Sequence, residues 1–174
     1  VPNMEIRIDS DNPAEIPGEI HVKGANVFLG YFKNEEATKE VFTDDGWFRT
    51  GDMGVIDSDG SLFIKGRNKC MILGPSGQNI YPEEIETTIN SQPYVVDSLV
   101  IEDNGGLTAL IYPDFQQGMK DGMNQEEFVK FMEGTLSELN KELPNYAKLK
   151  KIEVMSEDFE RTPKKSIKRY LYQR

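Results

Sequence analysis

Apolar and polar residues alternate twice early in the chain, over Met4-Glu5-Ile6-Arg7-Ile8 and over Glu19-Ile20-His21-Val22-Lys23, and each stretch predicts a strand with one face buried. The run between them, Asp9 to Gly18, is rich in turn residues. Asn34 stands where it can cap a short helix running through Ala37 to Phe42. Val55-Ile56 and Leu62-Phe63-Ile64 flank Asp59-Gly60, which predicts a hairpin closed by a type I′ turn, with positive φ at both central residues. Residues 1–66 therefore read as β-rich with one inserted helix.

The pattern then changes. Cys70-Met71-Ile72-Leu73 and Asn79-Ile80-Tyr81 are placed to pair around a loop bounded by Gly74 and Gly77. Pro82 suits the first position of a helix, and Glu83 and Glu84 follow where the helix dipole favours anions. Ile85 and Ile89 share one face of that helix. Val95 to Glu102 and Leu107 to Tyr112 read as two strands across Asn104-Gly105-Gly106. A longer helix begins at Asn124, where Asn124 with Glu127 makes a capping-box pattern and Met123 with Phe128 a hydrophobic staple. Phe128, Phe131, Met132, Leu136, Leu139 and Leu143 continue it at helical spacing until Pro144. Leu149 to Met155 reads as a last strand. A β-hairpin, a helix, two strands, a helix and a strand predict a small α+β domain from about residue 68 to the end.

Composition bounds the class. The chain has 174 residues, 37% hydrophobic and 29% charged, and a single cysteine, which rules out an internal disulfide and fits a reducing compartment. No apolar run approaches the ~20 residues of a membrane helix, the opening Val1-Pro2-Asn3-Met4-Glu5 lacks a secretory pattern, and a first residue of Val reads as an excised segment. The net charge of −10 disfavours non-specific binding of nucleic acid. Arg161 to Arg174 holds six basic residues and no acid, against 14 basic and 30 acidic side chains in the other 160 residues. On charge alone this end reads as a solvated tail or as a phosphate-binding patch.

Two Gly-punctuated motifs carry candidate chemistry. The first is Gly46-Trp47-Phe48-Arg49-Thr50-Gly51-Asp52. The second is Gly66-Arg67-Asn68-Lys69 with Gly74-Pro75-Ser76-Gly77-Gln78-Asn79-Ile80-Tyr81-Pro82-Glu83-Glu84-Ile85-Glu86. A carboxylate after Thr-Gly at a strand end can accept hydrogen bonds from paired sugar hydroxyls, or simply close a turn. An arginine offers directed donors to a nucleotide, or a surface ion pair. In order and spacing, the two motifs resemble those of the adenylate-forming enzymes: acyl-CoA synthetases, luciferase-like ligases and peptide-synthetase adenylation domains.

The resemblance covers nearly the whole chain. Gly66 to Glu86 and the ending Ile167-Lys168-Arg169-Tyr170-Leu171-Tyr172 look most like bacterial long-chain fatty acid CoA ligases. It implies that residues 1–67 are the β-rich end of a large N-terminal domain and that 68–174 are a mobile α+β C-terminal domain. It further implies that Asp52 binds the ribose of ATP and of the acyl-adenylate, that Arg67 contacts sugar and phosphate, that Lys69 is the hinge, and that Gly77 lets its loop approach the pantetheine channel. ATP, CoA and Mg²⁺ are the implied cofactors, with a fatty acid as substrate. The implied location is cytoplasmic, with peripheral membrane contact open to the complete enzyme.

The tail departs from the family pattern Thr-Pro-Thr-Gly-Lys-Ile-x-Arg. Here the text is Thr162-Pro163-Lys164-Lys165-Ser166-Ile167-Lys168-Arg169, and the lysine column holds Ser166. In the family that lysine bridges the substrate carboxylate and the α-phosphate. Lys165, one position early, is the catalytic candidate, because a loop lysine can absorb one residue of slip. Lys164, Lys168 and loss of the role are the alternatives. His21 has no visible partner for catalysis or metal, Cys70 and Trp47 read as packed, and Glu83, Glu84 and Glu86 read as helix N-terminal acids rather than a metal site. The family's phosphate loop and its adenine- and Mg²⁺-binding motif are absent, so the chain alone is expected to be inactive. The rival readings are an adenylation domain that loads a carrier protein and a non-catalytic docking module, which Ser166 favours.

Overall fold

The computed structural model describes residues 3–174. The chain divides into two compact units, the first running to Cys70 and the second Met71–Arg174. The architecture is mixed α+β, with largely antiparallel sheets and few helices.

The first unit is a four-stranded meander of β1 (Met4–Asp9), β2 (Gly18–Gly24), β3 (Phe48–Ile56) and β4 (Leu62–Arg67), each antiparallel to the next. Helix α1 (Glu35–Val41) is inserted between β2 and β3, and the Asn34 side chain accepts from the Ala37 N–H as its cap. Phe28, Phe42 and Phe48 pack edge-on or tilted, with ring centroids 5.2–5.6 Å apart.

The β3–β4 turn differs from the sequence expectation. Only Gly60 takes a positive φ, +80°. The Asp57 carboxylate accepts from the N–H groups of Asp59 (3.0 Å) and Ser61 (2.8 Å), and the Gly60 N–H donates to the Asp57 carbonyl at 3.0 Å. The aspartate side chain thus holds a longer turn with a single left-handed residue. The two-residue geometry with both φ values positive occurs instead at Asn104 (+49°) and Gly105 (+69°).

The second unit opens with a short hairpin, β5 (Ile72–Leu73) and β6 (Asn79–Ile80), followed by α2 (Pro82–Asn90). Strands β7 (Val95–Asp103) and β8 (Gly106–Pro113) are antiparallel, and β9 (Leu149–Val154) lies parallel to β8. A parallel neighbour requires a crossover, and α3 (Phe115–Lys120), α4 (Gln125–Gly134) and α5 (Leu136–Glu142) supply it. One face of the sheet buries Val100, Ala109, Ile111 and Ile152 against Ile85 and Ile89 of α2 and Phe128, Met132 and Leu139 of the crossover. The other face buries Leu99, Ile101 and Leu110 against Phe159, with Ile167 and Tyr172 beside it. Burial on both faces explains why β7 and β8 carry apolar runs rather than a clean alternation.

The single helix expected over 124–143 is broken. The Thr135 hydroxyl donates back to the Met132 carbonyl at 2.6 Å, beside a Gly134 of low helix propensity, and α5 restarts from there. Phe131, expected on the apolar face, is 43% exposed. The capping box at the start of α4 is complete: the Asn124 side chain accepts from the Glu127 N–H, and Glu127 accepts from the Asn124 N–H, each at 3.0 Å. Asn124→Ala is expected to cost about 1 kcal/mol of stability, read as a lower urea midpoint at unchanged slope.

Candidate functional site

The first motif ends in the middle of β3, directly opposite the second. Asp52 and Arg67 are register partners across β3 and β4. Arg67 Nη1 donates to Asp52 Oδ1 at 2.7 Å, with side-chain exposures of 55% and 34%, so both groups remain open to a ligand. Just before Asp52 the backbone bends through Gly51 at φ +75°. A β-carbon at Gly51 would lie 3.4 Å from an Arg67 guanidinium nitrogen, so glycine also leaves room for that side chain. The Thr50 hydroxyl donates to the Ile20 carbonyl (2.8 Å) and accepts from the Asp52 N–H (3.0 Å).

Two residues beneath this turn were not legible as partners in the sequence. Glu19 Oε1 accepts from the Gly51 N–H at 3.0 Å. Its other oxygen faces Nε2 of His21 at 3.4 Å, and Arg7 Nε donates to Nδ1 of the same ring at 3.3 Å. His21, for which the sequence offers no partner for catalysis or metal, is 1% exposed and polar-bonded at both ring nitrogens. Arg7 in turn grips Asp45 through two hydrogen bonds and lies 4.6 Å over the Trp47 ring. That bond to Arg7, with a second from the Thr43 hydroxyl, holds the Asp45 carboxyl well below the usual range.

Lys69 is exposed in a 3-10 turn spanning Asn68–Cys70, at the end of the first unit. Gly77 lies in the loop joining β5 and β6 with φ +82° and open space around its missing β-carbon.

The basic end is not a solvated tail. Arg161 bridges Asp97 (2.8 Å) and Asp158 (2.9 Å), Lys168 reaches Glu160 (3.0 Å), and Arg174 holds Glu153 (2.7 Å). Arg174, and after it Lys151, bring the Glu153 carboxyl down to about 2. Arg169 pairs with Glu86 on the buried side of α2 and lies 3.8 Å from Glu83. Glu86 Oε1 accepts from the Val100 N–H at 2.7 Å, and Arg169 Nη1 reaches the Val100 carbonyl at 3.5 Å. Burial raises the Glu86 carboxyl above its ordinary value, although Arg169 and the Val100 N–H oppose the shift. An acid on the stripe Pro82, Ile85, Glu86, Ile89 is the sequence signal that was available for this pair.

Between these anchors, Arg161 and Ile167 pair as an isolated bridge, and residues 162–166 form the turn. The Thr162 N–H donates to the Ser166 carbonyl and the Lys165 N–H to the Thr162 carbonyl, both at 2.8 Å. Lys165 takes φ +65°, a left-handed position that favours glycine. Lys164, Lys165 and Ser166 are all exposed. No group of three or more His, Cys, Asp or Glu that could hold a metal gathers among the described residues. No helix among them is long and apolar enough to cross a membrane.

Comparison with known proteins gives the architecture a family. The long-chain-fatty-acid–CoA ligase FadD15 of Mycobacterium tuberculosis is 31% identical over 97% of this chain, which spans 30% of that protein. The 2-succinylbenzoate–CoA ligase of Bacillus cytotoxicus is 38% identical over 76% of the chain and 28% of its own length. Among solved structures, the O-succinylbenzoate coenzyme A synthetase MenE of Bacillus subtilis, in complex with ATP and magnesium ion, superposes with a TM-score of 0.78 at 30% identity, over 98% of this chain and 34% of that one. ATP-bound MatB from Rhodopseudomonas palustris gives 0.74 at 32% identity, over 99% and 34%. The chain spans about a third of the length of these proteins. The family described as the AMP-binding enzyme C-terminal domain matches residues 70–174, more than half of the chain, and the chain belongs to that family.

Proposed function

We propose that this chain is the C-terminal part of an AMP-forming acyl-CoA ligase that activates a long-chain fatty acid. The observation that carries the reading is the Asp52–Arg67 pair: a carboxylate and a guanidinium joined across two strands, both reaching solvent, beside a glycine bend. Asp52 accepts from the ribose hydroxyls of ATP, and Arg67 holds Asp52 while offering its remaining donors to the nucleotide. The substrate carboxylate attacks the α-phosphate, pyrophosphate leaves, and the thiol of CoA then displaces AMP from the acyl-adenylate. Lys165 offsets the charge that builds up as carboxylate and phosphate meet. Lys69 is the hinge about which the second unit turns between the two steps, and the loop at Gly77 lines the path of the pantetheine arm. The similarity to FadD15 supports a long-chain acid.

ATP–pyrophosphate exchange by the complete parent protein, across acids from short to long, tests this. Exchange that rises with chain length is expected. Exchange with 2-succinylbenzoate but no fatty acid would keep the ligase and move the acid. Exchange with none would favour the non-catalytic docking module.

A further inference from the structure

Glu19 takes no part in the chemistry above, yet it sits directly under the nucleotide pair. Its carboxylate is 17% exposed and bonded on both oxygens, by the Gly51 N–H at 3.0 Å and by His21 at 3.4 Å. The hydrogen-bond directions follow from chemistry alone. Arg7 Nε can only donate, so Nδ1 of His21 accepts and Nε2 carries the proton it gives to Glu19. Arg7 is fixed in turn by Asp45 and Trp47. The result is a polar relay across all four strands, from Asp45 through Arg7, His21 and Glu19 to the backbone at Gly51, and on to Asp52 and Arg67.

We propose that Glu19 is a positioning residue for nucleotide recognition: by holding the Gly51 N–H it fixes the left-handed bend that aims Asp52 at the ribose. Gly51 is the pliable residue next to Asp52, and its bend at φ +75° determines where the following carboxylate points. The Thr50 hydroxyl ties the Asp52 N–H from one side, and Glu19 ties Gly51 from the other. A charged acceptor on a backbone N–H is roughly twice as strong as a neutral one. Glutamate also has the two acceptor oxygens needed to serve Gly51 and His21 together, which glutamine lacks.

The inference rests on Asp52 being the ribose ligand, and the test separates the two. In the complete protein, the KM for ATP is compared with that for 2′-deoxy-ATP in pyrophosphate exchange. Wild type is expected to discriminate against the deoxynucleotide about tenfold or more, the worth of one lost charge-assisted hydrogen bond. Glu19→Ala is expected to raise the KM for ATP about tenfold and to bring the ratio of the two nucleotides close to one, with the KM for the acid unchanged. Glu19→Gln, which keeps the side-chain volume and one acceptor, is expected to fall between. A purely structural role would lower exchange with both nucleotides equally and leave their ratio intact. A wild-type ratio retained in Glu19→Gln, or in a folded Glu19→Ala, overturns the positioning role and leaves Asp52 standing. A wild type that does not discriminate removes Asp52 as ribose ligand and the proposal with it.

Discussion

Replacing Arg169 by alanine is expected to destabilise the second unit by about 3 kcal/mol, because it leaves a buried carboxylate without its cation. Glu86 is 8% exposed and Arg169 is its ion-pair partner. The effect is expected to depend on pH. Burial, the largest influence, raises the Glu86 pKa above its unfolded value, so the stability its proton confers is present at low pH and lost as pH rises through the folded pKa. Arg169 opposes that rise. Without it the folded pKa climbs further, and ionising Glu86 near neutral pH costs more. The deficit of Arg169→Ala relative to wild type should therefore be largest near pH ~7.5 and shrink as the pH falls to ~3.5, below the ordinary carboxylate value, where Glu86 is protonated with or without Arg169. Urea titrations at the two pH values measure it. The double substitution Glu86→Gln/Arg169→Ala should recover part of the loss at neutral pH, since an amide costs less to bury than a charge. A deficit independent of pH would mean that the lost packing of the Arg169 stem, not the stranded charge, carries the effect.

The second large effect concerns catalysis. Lys165→Gly in the complete protein is expected to lower ATP–pyrophosphate exchange by about 10²–10³, the usual consequence of removing one group that stabilises charge in the transition state. Glycine is the informative replacement because Lys165 sits at φ +65°. It removes the ammonium while relieving about 1–2 kcal/mol of backbone strain, so stability should hold or rise while activity falls. Lys164→Ala and Lys168→Ala should change exchange little. Lys168 is already paired with Glu160 at 3.0 Å. Lys165→Gly combined with Ser166→Lys restores the family order of glycine then lysine and should recover much of the exchange. If Lys165→Gly alone left exchange unchanged, the ammonium would come from elsewhere.

Most of this fold was legible because its signals are local. Alternation marked β1 and β2, the Asn34 and Asn124 caps marked α1 and α4, and Pro82 marked the start of α2. The misses have a common physical cause. The spacing of Phe128 to Leu143 continues across Gly134-Thr135, so apolar periodicity alone could not register the break, which a side-chain hydroxyl makes. Asp59-Gly60 carries a hairpin signal, but Asp57, two residues earlier, sets the turn. The parallel pairing of β8 and β9 is invisible to any window, since the strands are joined by three helices.

The candidate site divides in the same way. Motif order was enough to select Asp52 and Arg67, which the structure brings into one pair. Their support was hidden, because Glu19, His21 and Arg7 come from other strands and meet only through register: Arg7 lies opposite His21 on β1 and β2. The same holds for the basic tail. Its charge was plain, but three of its partners, Asp97, Glu153 and Glu86, are remote in sequence.

The Glu86–Arg169 pair has a consequence outside the chain itself. Strand β7 lies at the outer edge of its sheet, and such an edge is a template on which a strand from another molecule can grow. Glu86 occupies the N–H of Val100 and Arg169 reaches its carbonyl, midway along that edge. Glu86 of α2 and Arg169 together therefore guard that edge against self-association, and loss of the segment carrying Arg169 would free the Val100 carbonyl for a strand from another copy.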